Sequence, residues 1–288
     1  MGNAQALELQ ELAQKYRDEE SSDHAVKRRK IALVSGKGGV GKSVLAMLIA
    51  GGLASEGRRA LLVDANCYSP SLHVLANQNP TLTMEKLLSH SRQPSAINFP
   101  SIAPGVDFLS NRKIDAQHEM PSGANAAFFL EVIAPYTASY DFIIFDTHTG
   151  IDEWNAGIMA GSHDIILVSQ TDPASIIDSY TFLKAAYPHV AMQKFRLLLN
   201  QTLSPVSGTE AHEKLNLALQ HFLDIQIPLS GMIPFDYSLK TAVDNQAPFW
   251  QKPHKGAAAS TVQQMMNNYL ETNKYPMDDT ILKSEVTS

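Results

Sequence analysis

SGKGGVGKS, residues 35–43, is the stretch that decides the fold of this chain. Its last eight residues, Gly36 to Ser43, match the pattern G-x-x-x-x-G-K-[ST]. The apolar run IALVS (31–35) precedes the motif, and a helix is predicted to follow it over residues 44–55. A glycine-rich turn between a buried strand and a helix lets backbone N–H groups and the positive helix end approach a phosphate. The sequence therefore predicts a P-loop that binds the phosphates of a nucleotide together with Mg²⁺.

The residues of this loop have separate predicted roles. Lys42 should reach the β- and γ-phosphates, and the hydroxyl of Ser43 should hold Mg²⁺. The loop also carries a second lysine, Lys37, which an ordinary P-loop does not need. The predicted nucleotide contacts of the loop are Gly36, Lys37, Gly38, Gly39, Val40, Gly41, Lys42 and Ser43.

Outward from the motif, apolar runs alternate with segments of helical pattern. Strands are predicted at residues 31–35, 58–64, 106–110, 141–146, 164–170, 194–200 and within 227–234, and helices at 44–55, 124–136, 153–161, 173–187, 208–223 and 256–271. The strands are continuous apolar runs, which indicates that both faces of the sheet are covered. We expect an α/β fold with a doubly wound, mainly parallel sheet flanked by helices.

Composition limits the remaining possibilities. The chain has 288 residues, 44% hydrophobic, with a net charge of −6 and one cysteine, Cys67. A disulfide framework and a cysteine-based zinc site are excluded, and general attraction to DNA or anionic lipid is not expected. No signal peptide or membrane-spanning run is recognisable, so we expect a cytoplasmic protein. We divide it into an N-terminal helix and linker (1–29), a P-loop ATPase domain (30–273) and a flexible tail (274–288).

The string SGKGGVGKS resembles the deviant Walker A motif of the MinD/ParA (SIMIBI-class) ATPases. The resemblance implies a homodimer that sandwiches two ATP molecules, with Lys37 reaching the phosphates bound by the partner. LLVDANCYSPSLHVLA (61–76) occupies the position of switch I in that family. YDFIIFDTHTGI (140–151) occupies the Walker B and switch II position, where Asp146 would act on the Mg²⁺ ion and its water.

Other segments look most like the FlhG/FleN regulators of flagellar number. They are QTDPASIIDSYTFLKAA (170–186), EKLNLALQHFLDI (213–225) and GMIPFDYSLKTAVDNQAPF (231–249). This resemblance implies ATP hydrolysis and recruitment to a cell pole or the inner membrane surface by a partner. The partner would be an FlhF-like GTPase, a flagellar switch component or a transcription activator. AQALELQ (4–10) resembles that group's D-Q-A-x-x-L-R helix but lacks both charges.

Switch I departs from the family pattern Asp-x-Asp. The chain has Asp64-Ala65-Asn66, and an asparagine can hold a water molecule but cannot accept its proton. The residues predicted to act in catalysis are Lys37, Lys42, Asp64 and Asn66. Because Asn66 cannot accept the proton, we predict slow turnover. His148 in switch II could compensate by relaying a proton, although a lone histidine is more often structural.

The resemblance also implies contacts to the adenine base. Asn200 at the end of a strand would hydrogen-bond the base, and Pro234 and Asp236 would form the loop against it. The alternative is that these three residues serve only as turn residues at strand ends.

Three other functions stay open. The protein could be a nucleotide-gated scaffold without significant ATPase activity, a partition-type ATPase that binds DNA without specificity, or a capsule-type tyrosine kinase, because DANCYSPSLH (64–73) also resembles the last group. Specific DNA binding is not expected. The polar side of the predicted helix 256–271 is neutral, so we expect this helix to pack on the domain and membrane association to be weak at most.

Overall fold

A computed structural model describes residues 28–80, 82–89, 97–111, 125–251 and 256–272. The helix predicted at residues 3–20 and the tail predicted at 274–288 lie outside these ranges. The strands are β1 (Arg29–Val34), β2 (Ala60–Ala65), β3 (Ser101–Ala103), β4 (Val106–Leu109), β5 (Phe142–Thr147), β6 (Asp164–Ser169), β7 (Phe195–Thr202) and β8 (Leu229–Pro234).

The strands form one sheet in the order β3-β4-β2-β5-β1-β6-β7-β8. All neighbours are parallel except β3, which pairs antiparallel with β4 at one edge. β1 lies between β5 and β6, so the loops after these three strands meet at the carboxyl edge of the sheet. Ligands of open α/β sheets bind at such a crevice, where the strand order changes direction.

Nine α-helices lie within the described ranges. They are α1 (Lys42–Ser55), α2 (Leu72–Leu75), α3 (Met84–Ser89), α4 (Ala126–Ile133), α5 (Glu153–Ala160), α6 (Pro173–Ala186), α7 (Pro205–Leu223), α8 (Tyr237–Asp244) and α9 (Ala257–Thr272). Short 3-10 helices span Ala134–Thr137 and Met192–Lys194. Every helix in these ranges is too short or too polar to span a bilayer.

Each face of the sheet has its own apolar core. Along β5, Ile143 and Phe145 belong to the core under α4 to α7, whereas Ile144 points to the opposite core under α1 and α9. Alternate side chains of a strand point to opposite faces, so a strand covered on both sides must be apolar throughout. The predicted doubly wound, mainly parallel α/β fold is confirmed.

The observed ends of two helices differ from the predicted ones, at a proline in one case and at an N-cap in the other. The helix predicted at 124–136 ends as α-helix at Ile133, because Pro135 lies in the 3-10 turn that follows. The helix predicted at 208–223 begins at Pro205, with Ser204 accepting a hydrogen bond from the Ser207 N–H as its N-cap. The sequence patterns missed α2, α3, β3 and α8, which are all short.

Helix α9 packs on the domain as expected. Val262 and Met266 are 1% and 2% exposed and belong to the core shared with α1. Tyr269 donates a hydrogen bond of 2.6 Å to Asp164, which also pairs with Arg29 at 2.8 Å. These contacts fix the helix to the first residues of β1 and β6, at the edge opposite the P-loop.

Candidate functional site

The P-loop connects β1 to α1 and depends on glycine at two of its positions. Gly41 has φ of 93°, a left-handed conformation that L side chains rarely adopt, and a Cβ atom there would collide with the amide of Asn200. A Cβ atom at Gly36 would collide with the carbonyl of Asp178 in α6. Gly41 is also the N-cap of α1 and provides no side-chain cap, which leaves the first N–H groups of the helix available to an anion.

Lys42 lies within the mouth of this loop and is 9% exposed. Its Nζ donates to Ser35 Oγ at 2.7 Å and to Thr149 Oγ1 at 3.3 Å. Burial lowers the pKa of Lys42, and the nearby carboxyl of Asp146 opposes that change. Two hydroxyl groups therefore hold a buried ammonium group where the predicted phosphates would bind.

Lys37 is held by its own chain. Its Nζ lies 3.2 Å from Asp172 Oδ1 and 3.1 Å from Ser175 Oγ. Asp172 is also the N-cap of α6, accepting from the Ser175 N–H at 3.0 Å. Hydrogen bonds from Ser175, together with the ammonium group of Lys37, keep the pKa of Asp172 below its ordinary value despite partial desolvation. To reach a partner's nucleotide, Lys37 must leave this pair.

Two carboxylates stand side by side on neighbouring strands. Asp64 in β2 is directly opposite Asp146 in β5, and the two residues are 0% and 1% exposed. Asp64 Oδ2 accepts from the N–H groups of Ser71 and Leu72, both at 3.1 Å. Desolvation raises the pKa of Asp64 well above its ordinary value, and the neighbouring Asp146 adds to that rise.

Asp146 differs from Asp64 in its hydrogen bonding, because no backbone N–H group of the described residues donates to its carboxylate. Both its carboxylate oxygens are buried, and neither accepts a hydrogen bond of ordinary geometry from the described residues. Desolvation raises its pKa to about 6, although the Ser43 hydroxyl and the Lys42 ammonium group oppose the rise. A buried carboxylate without a hydrogen-bond partner lowers the stability of the folded protein. Such a group is typical of a site where a ligand supplies the missing partner.

This arrangement fits the predicted magnesium ion. Oxygen atoms are the ligands that Mg²⁺ prefers, and Asp146 with Ser43 would provide them. No group of three or more His, Cys, Asp or Glu side chains that could hold a metal occurs in the described part of the chain. In nucleotide sites Mg²⁺ is usually held by phosphate oxygens as well as by one or two protein groups, and it would neutralise the charge of the phosphates.

The side chain of Asn66 in switch I is engaged by its own loop. Its Oδ1 accepts from the N–H groups of Tyr68 at 3.2 Å and Ser69 at 2.9 Å, and its Nδ2 donates to Ser69 O at 2.7 Å. Asn66 therefore closes a turn in this structure, and its catalytic role stays a prediction that would require the turn to open.

In switch II, His148 is 6% exposed and its Nε2 lies 3.0 Å from Asp152 Oδ2. Tyr68 of switch I donates its hydroxyl to the same Asp152 oxygen at 2.9 Å, and its ring meets the His148 ring edge-on at 4.6 Å between centroids. Desolvation lowers the pKa of His148, Asp152 opposes this, and the Lys42 charge adds to it. The net effect favours a neutral imidazole.

The residues predicted to contact adenine are engaged by the protein. Asn200 Nδ2 donates to Val40 O at 2.8 Å and so fastens β7 to the P-loop. Asp236 caps α8 through the N–H groups of Ser238 and Leu239 and also accepts from Ala258 N at the start of α9. Pro234 is the last residue of β8. The base-contact roles of Asn200, Pro234 and Asp236 stay predictions.

The sequence patterns missed several residues that the fold brings to this site. Ser35 and Thr149 hold Lys42, Asp172 holds Lys37, and Asp152 joins Tyr68 to His148. The Asp172-Pro173 pair is a recognisable helix start, and Asp152 followed by Glu153 is the acidic N-cap pattern in front of α5. Their caps could have been foreseen, whereas their contacts with remote residues could not.

Comparison with known proteins places these observations in a family. The chain is 28% identical over 224 residues to the antiactivator FleN of Pseudomonas aeruginosa, covering 75% of this chain and 77% of FleN. It is 25% identical over 242 residues to the flagellum site-determining protein YlxH of Helicobacter pylori, covering 84% of this chain and 81% of that protein.

Among solved structures, the septum site-determining protein MinD of Pyrococcus horikoshii, complexed with Mg-ADP, superposes with a TM-score of 0.66 at 21% identity, covering 87% of this chain and all of MinD. The likeness confirms the predicted MinD/ParA fold, and the relatives confirm the predicted similarity to flagellar regulators. The family model described as AAA domain matches residues 28–185, more than half of the chain. The protein thus belongs to the AAA domain family AAA_31, and its fold is similar to that of MinD.

Proposed function

We propose that this protein binds Mg·ATP, that ATP brings two copies together face to face, and that the dimer regulates the assembly or placement of a flagellar or other polar apparatus. Slow ATP hydrolysis would return the dimer to single copies. The protein would act in the cytoplasm and be recruited to the pole by a protein partner. An FlhF-like GTPase, a flagellar switch component and a transcription activator are the candidate partners.

The observation that carries this proposal is the pair of lysines in one P-loop. Lys42 is buried at the loop mouth, where it can serve the nucleotide of its own chain. The side chain of Lys37 is 37% exposed and forms an ion pair with the exposed carboxylate of Asp172, beside the hydroxyl of Ser175. An exposed ion pair contributes at most about 1 kcal/mol, so phosphates offered by a second copy can outcompete it.

Light scattering in the presence of a non-hydrolysable ATP analogue tests the dimer. We expect a dimer for the wild type and a monomer for Lys37→Ala, with nucleotide affinity changed less than about threefold because Lys42 and the loop backbone remain. Lys184→Ala, at the exposed end of α6, is the matched control and should dimerise normally. Equal masses for the wild type and Lys37→Ala would refute the proposal.

A scaffold without significant ATPase activity is the second candidate. It is favoured by the turn in which both polar atoms of Asn66 are already hydrogen-bonded to Tyr68 and Ser69. Single-turnover hydrolysis by the purified protein separates the two functions. Release of phosphate at a measurable first-order rate supports the ATPase, whereas ATP that stays intact in a stable dimer supports the scaffold.

A further inference from the structure

We propose that His148, oriented by Asp152, accepts a hydrogen bond from the water molecule that attacks the γ-phosphate of ATP. The inference rests on the proposed function, because it concerns the hydrolysis step of the same site. It assigns to switch II the water-holding role that the sequence resemblance places in switch I.

The first step is the hydrogen-bonding state of the imidazole. A carboxylate only accepts hydrogen bonds, so the 3.0 Å contact between His148 Nε2 and Asp152 Oδ2 places the ring hydrogen on Nε2. The lone pair of a neutral ring is then on Nδ1. Nδ1 is buried and has no hydrogen-bond partner among the described residues. Nδ1 can therefore accept a hydrogen bond that the described residues do not supply.

The second step is the position of this acceptor. His148 follows Asp146 by two residues and precedes Thr149, whose hydroxyl accepts a hydrogen bond from Lys42. The carbonyl of His148 accepts from Asn155 Nδ2 at 3.0 Å, which anchors the loop to α5. The histidine thus belongs to the short loop that runs between the predicted magnesium ligand and the phosphate-binding lysine.

The third step is the rigidity of the support. Asp152 is the N-cap of α5, because its Oδ1 accepts from the Asn155 N–H at 2.8 Å. Its other oxygen receives both His148 and the hydroxyl of Tyr68. The carboxylate is therefore fixed from three sides, and the edge of the Tyr68 ring limits the movement of the imidazole. A water-holding group needs such fixed support to contribute to catalysis.

Asn66 and His148 differ in whether their polar atoms are already hydrogen-bonded. Both polar atoms of Asn66 are hydrogen-bonded within its own turn, whereas His148 has an acceptor atom without a partner. A water molecule at Nδ1 of His148 would therefore break no hydrogen bond that the described residues form.

The chemical step balances without a further reactant. The water oxygen forms a bond to the γ-phosphorus while one of its hydrogens points to Nδ1. The bond between the γ-phosphorus and the β–γ bridging oxygen breaks, and ADP leaves with the electron pair. Both hydrogens of the water leave on the phosphate, and His148 orients the attack without being consumed. Asp152 is a positioning residue, since it acts through His148.

Steady-state kinetics of three variants test this assignment. His148→Ala should lower kcat about 100-fold with KM for ATP changed less than threefold, because only the water loses its acceptor. His148→Gln should recover activity to within about tenfold of the wild type, because its amide oxygen is an acceptor. His189→Ala, at an exposed histidine, is the control and should match the wild type.

Asp152→Asn is the sharpest variant, because asparagine caps a helix as well as aspartate does. Its amide can donate to Nε2, which would move the ring hydrogen to Nδ1 and turn the acceptor into a donor. We expect kcat to fall at least tenfold while the far-ultraviolet circular dichroism spectrum and the affinity for a non-hydrolysable ATP analogue stay unchanged.

Nitrogen-15 NMR of the histidine side chains provides a readout that does not depend on turnover. The wild type should show His148 with hydrogen on Nε2 and a lone pair on Nδ1, and Asp152→Asn should reverse the two. A ring with hydrogen on Nδ1 in the wild type would overturn the assignment. If the wild type hydrolyses ATP and His148→Ala does so equally fast, only this inference fails. If the wild type does not hydrolyse ATP, the proposed ATPase function fails with it.

Discussion

The site has two ends, and we term the one beside α1 and β5 the phosphate end. There, buried polar atoms of Asp146 and His148 have no hydrogen-bond partner among the described residues. At the end beside β7 and β8, which we term the base end, Asn200 and Asp236 are hydrogen-bonded by the protein itself. Both ends lie at the carboxyl edge of the same sheet, and both are built from strand-end loops.

The difference indicates which part of a nucleotide the fold is prepared to bind. Unpartnered buried polar atoms cost free energy until a ligand supplies their partners, so the phosphate end gains most from Mg·ATP. At the base end, Nδ2 of Asn200 and the carboxylate of Asp236 already have partners, so this end gains less. We therefore expect affinity to come mainly from the phosphates and the metal ion, and the polar side chains of the base end to act mainly on stability.

The largest expected effect is that of Asp146→Asn at the phosphate end. Affinity for ATP in the presence of Mg²⁺ should fall at least ~100-fold, because the metal loses its buried carboxylate. The nucleotide-free protein should instead become more stable at pH 7 by roughly 1–3 kcal/mol, because the desolvated charge is gone. Titration with a fluorescent ATP analogue, with and without EDTA, and thermal unfolding measure the two effects.

The sign of the pH dependence follows from the raised pKa of Asp146. The folded protein binds this proton more tightly than the unfolded chain does, so wild-type stability should decrease as the pH rises from about 4 to about 6. Asp146→Asn should lose that part of the decrease. Glu153→Gln, an exposed acid in the first turn of α5, is the control and should alter neither stability nor Mg²⁺-dependent binding.

A smaller effect is expected for Asn200→Ala at the base end. The variant leaves the buried carbonyl of Val40 without its donor, which should lower the free energy of unfolding by about 1–3 kcal/mol. The preference for ATP over GTP should not change. Chemical denaturation and competition binding check both statements, with Gln170→Ala, a half-buried side chain just after β6, as the control. A changed base preference would show that the two ends are more alike than their hydrogen bonds indicate.

The smallest effect is expected for Asp236→Ala. Losing the N-cap of α8 should cost about 1 kcal/mol of stability at pH 7. Partial burial opposes ionisation, but hydrogen bonds from Ser238 and from the start of α9 hold the pKa of Asp236 below its ordinary value. The contribution is therefore present above the ordinary aspartate pKa and should disappear as the pH falls through the lower folded value.

Asp244→Ala is the matched control for this last prediction, because Asp244 lies at the other end of α8 and, within the described part of the chain, makes only an exposed ion pair with Lys240. Its effect should stay below about 0.5 kcal/mol. An equal loss of stability for both variants would contradict the capping role of Asp236.

The sequence by itself determined the fold class and the phosphate-binding loop. Residues 36–43 specify a P-loop because its chemistry is local: glycines permit the turn, and the lysine and serine follow at fixed positions. The strands are apolar at consecutive positions, which indicates a sheet that is covered on both faces. This pattern is also local, because it depends only on residues that are neighbours in the sequence. Helix caps are also local: the Asp172-Pro173 pair precedes a helix predicted at its observed start, whereas the helix capped by Ser204 was predicted to begin three residues late, at 208.

Only the tertiary structure decided what the remote polar residues do. Asp172 lies 135 positions after Lys37, and Asp152 lies 84 positions after Tyr68, yet each pair is in direct contact. The order of the strands brings these loops together, and no local pattern records that order. The same holds for Asn66, Asn200 and Asp236, because a polar side chain forms its hydrogen bonds with whichever donor or acceptor the packed chain places nearest, and burial makes those bonds obligatory.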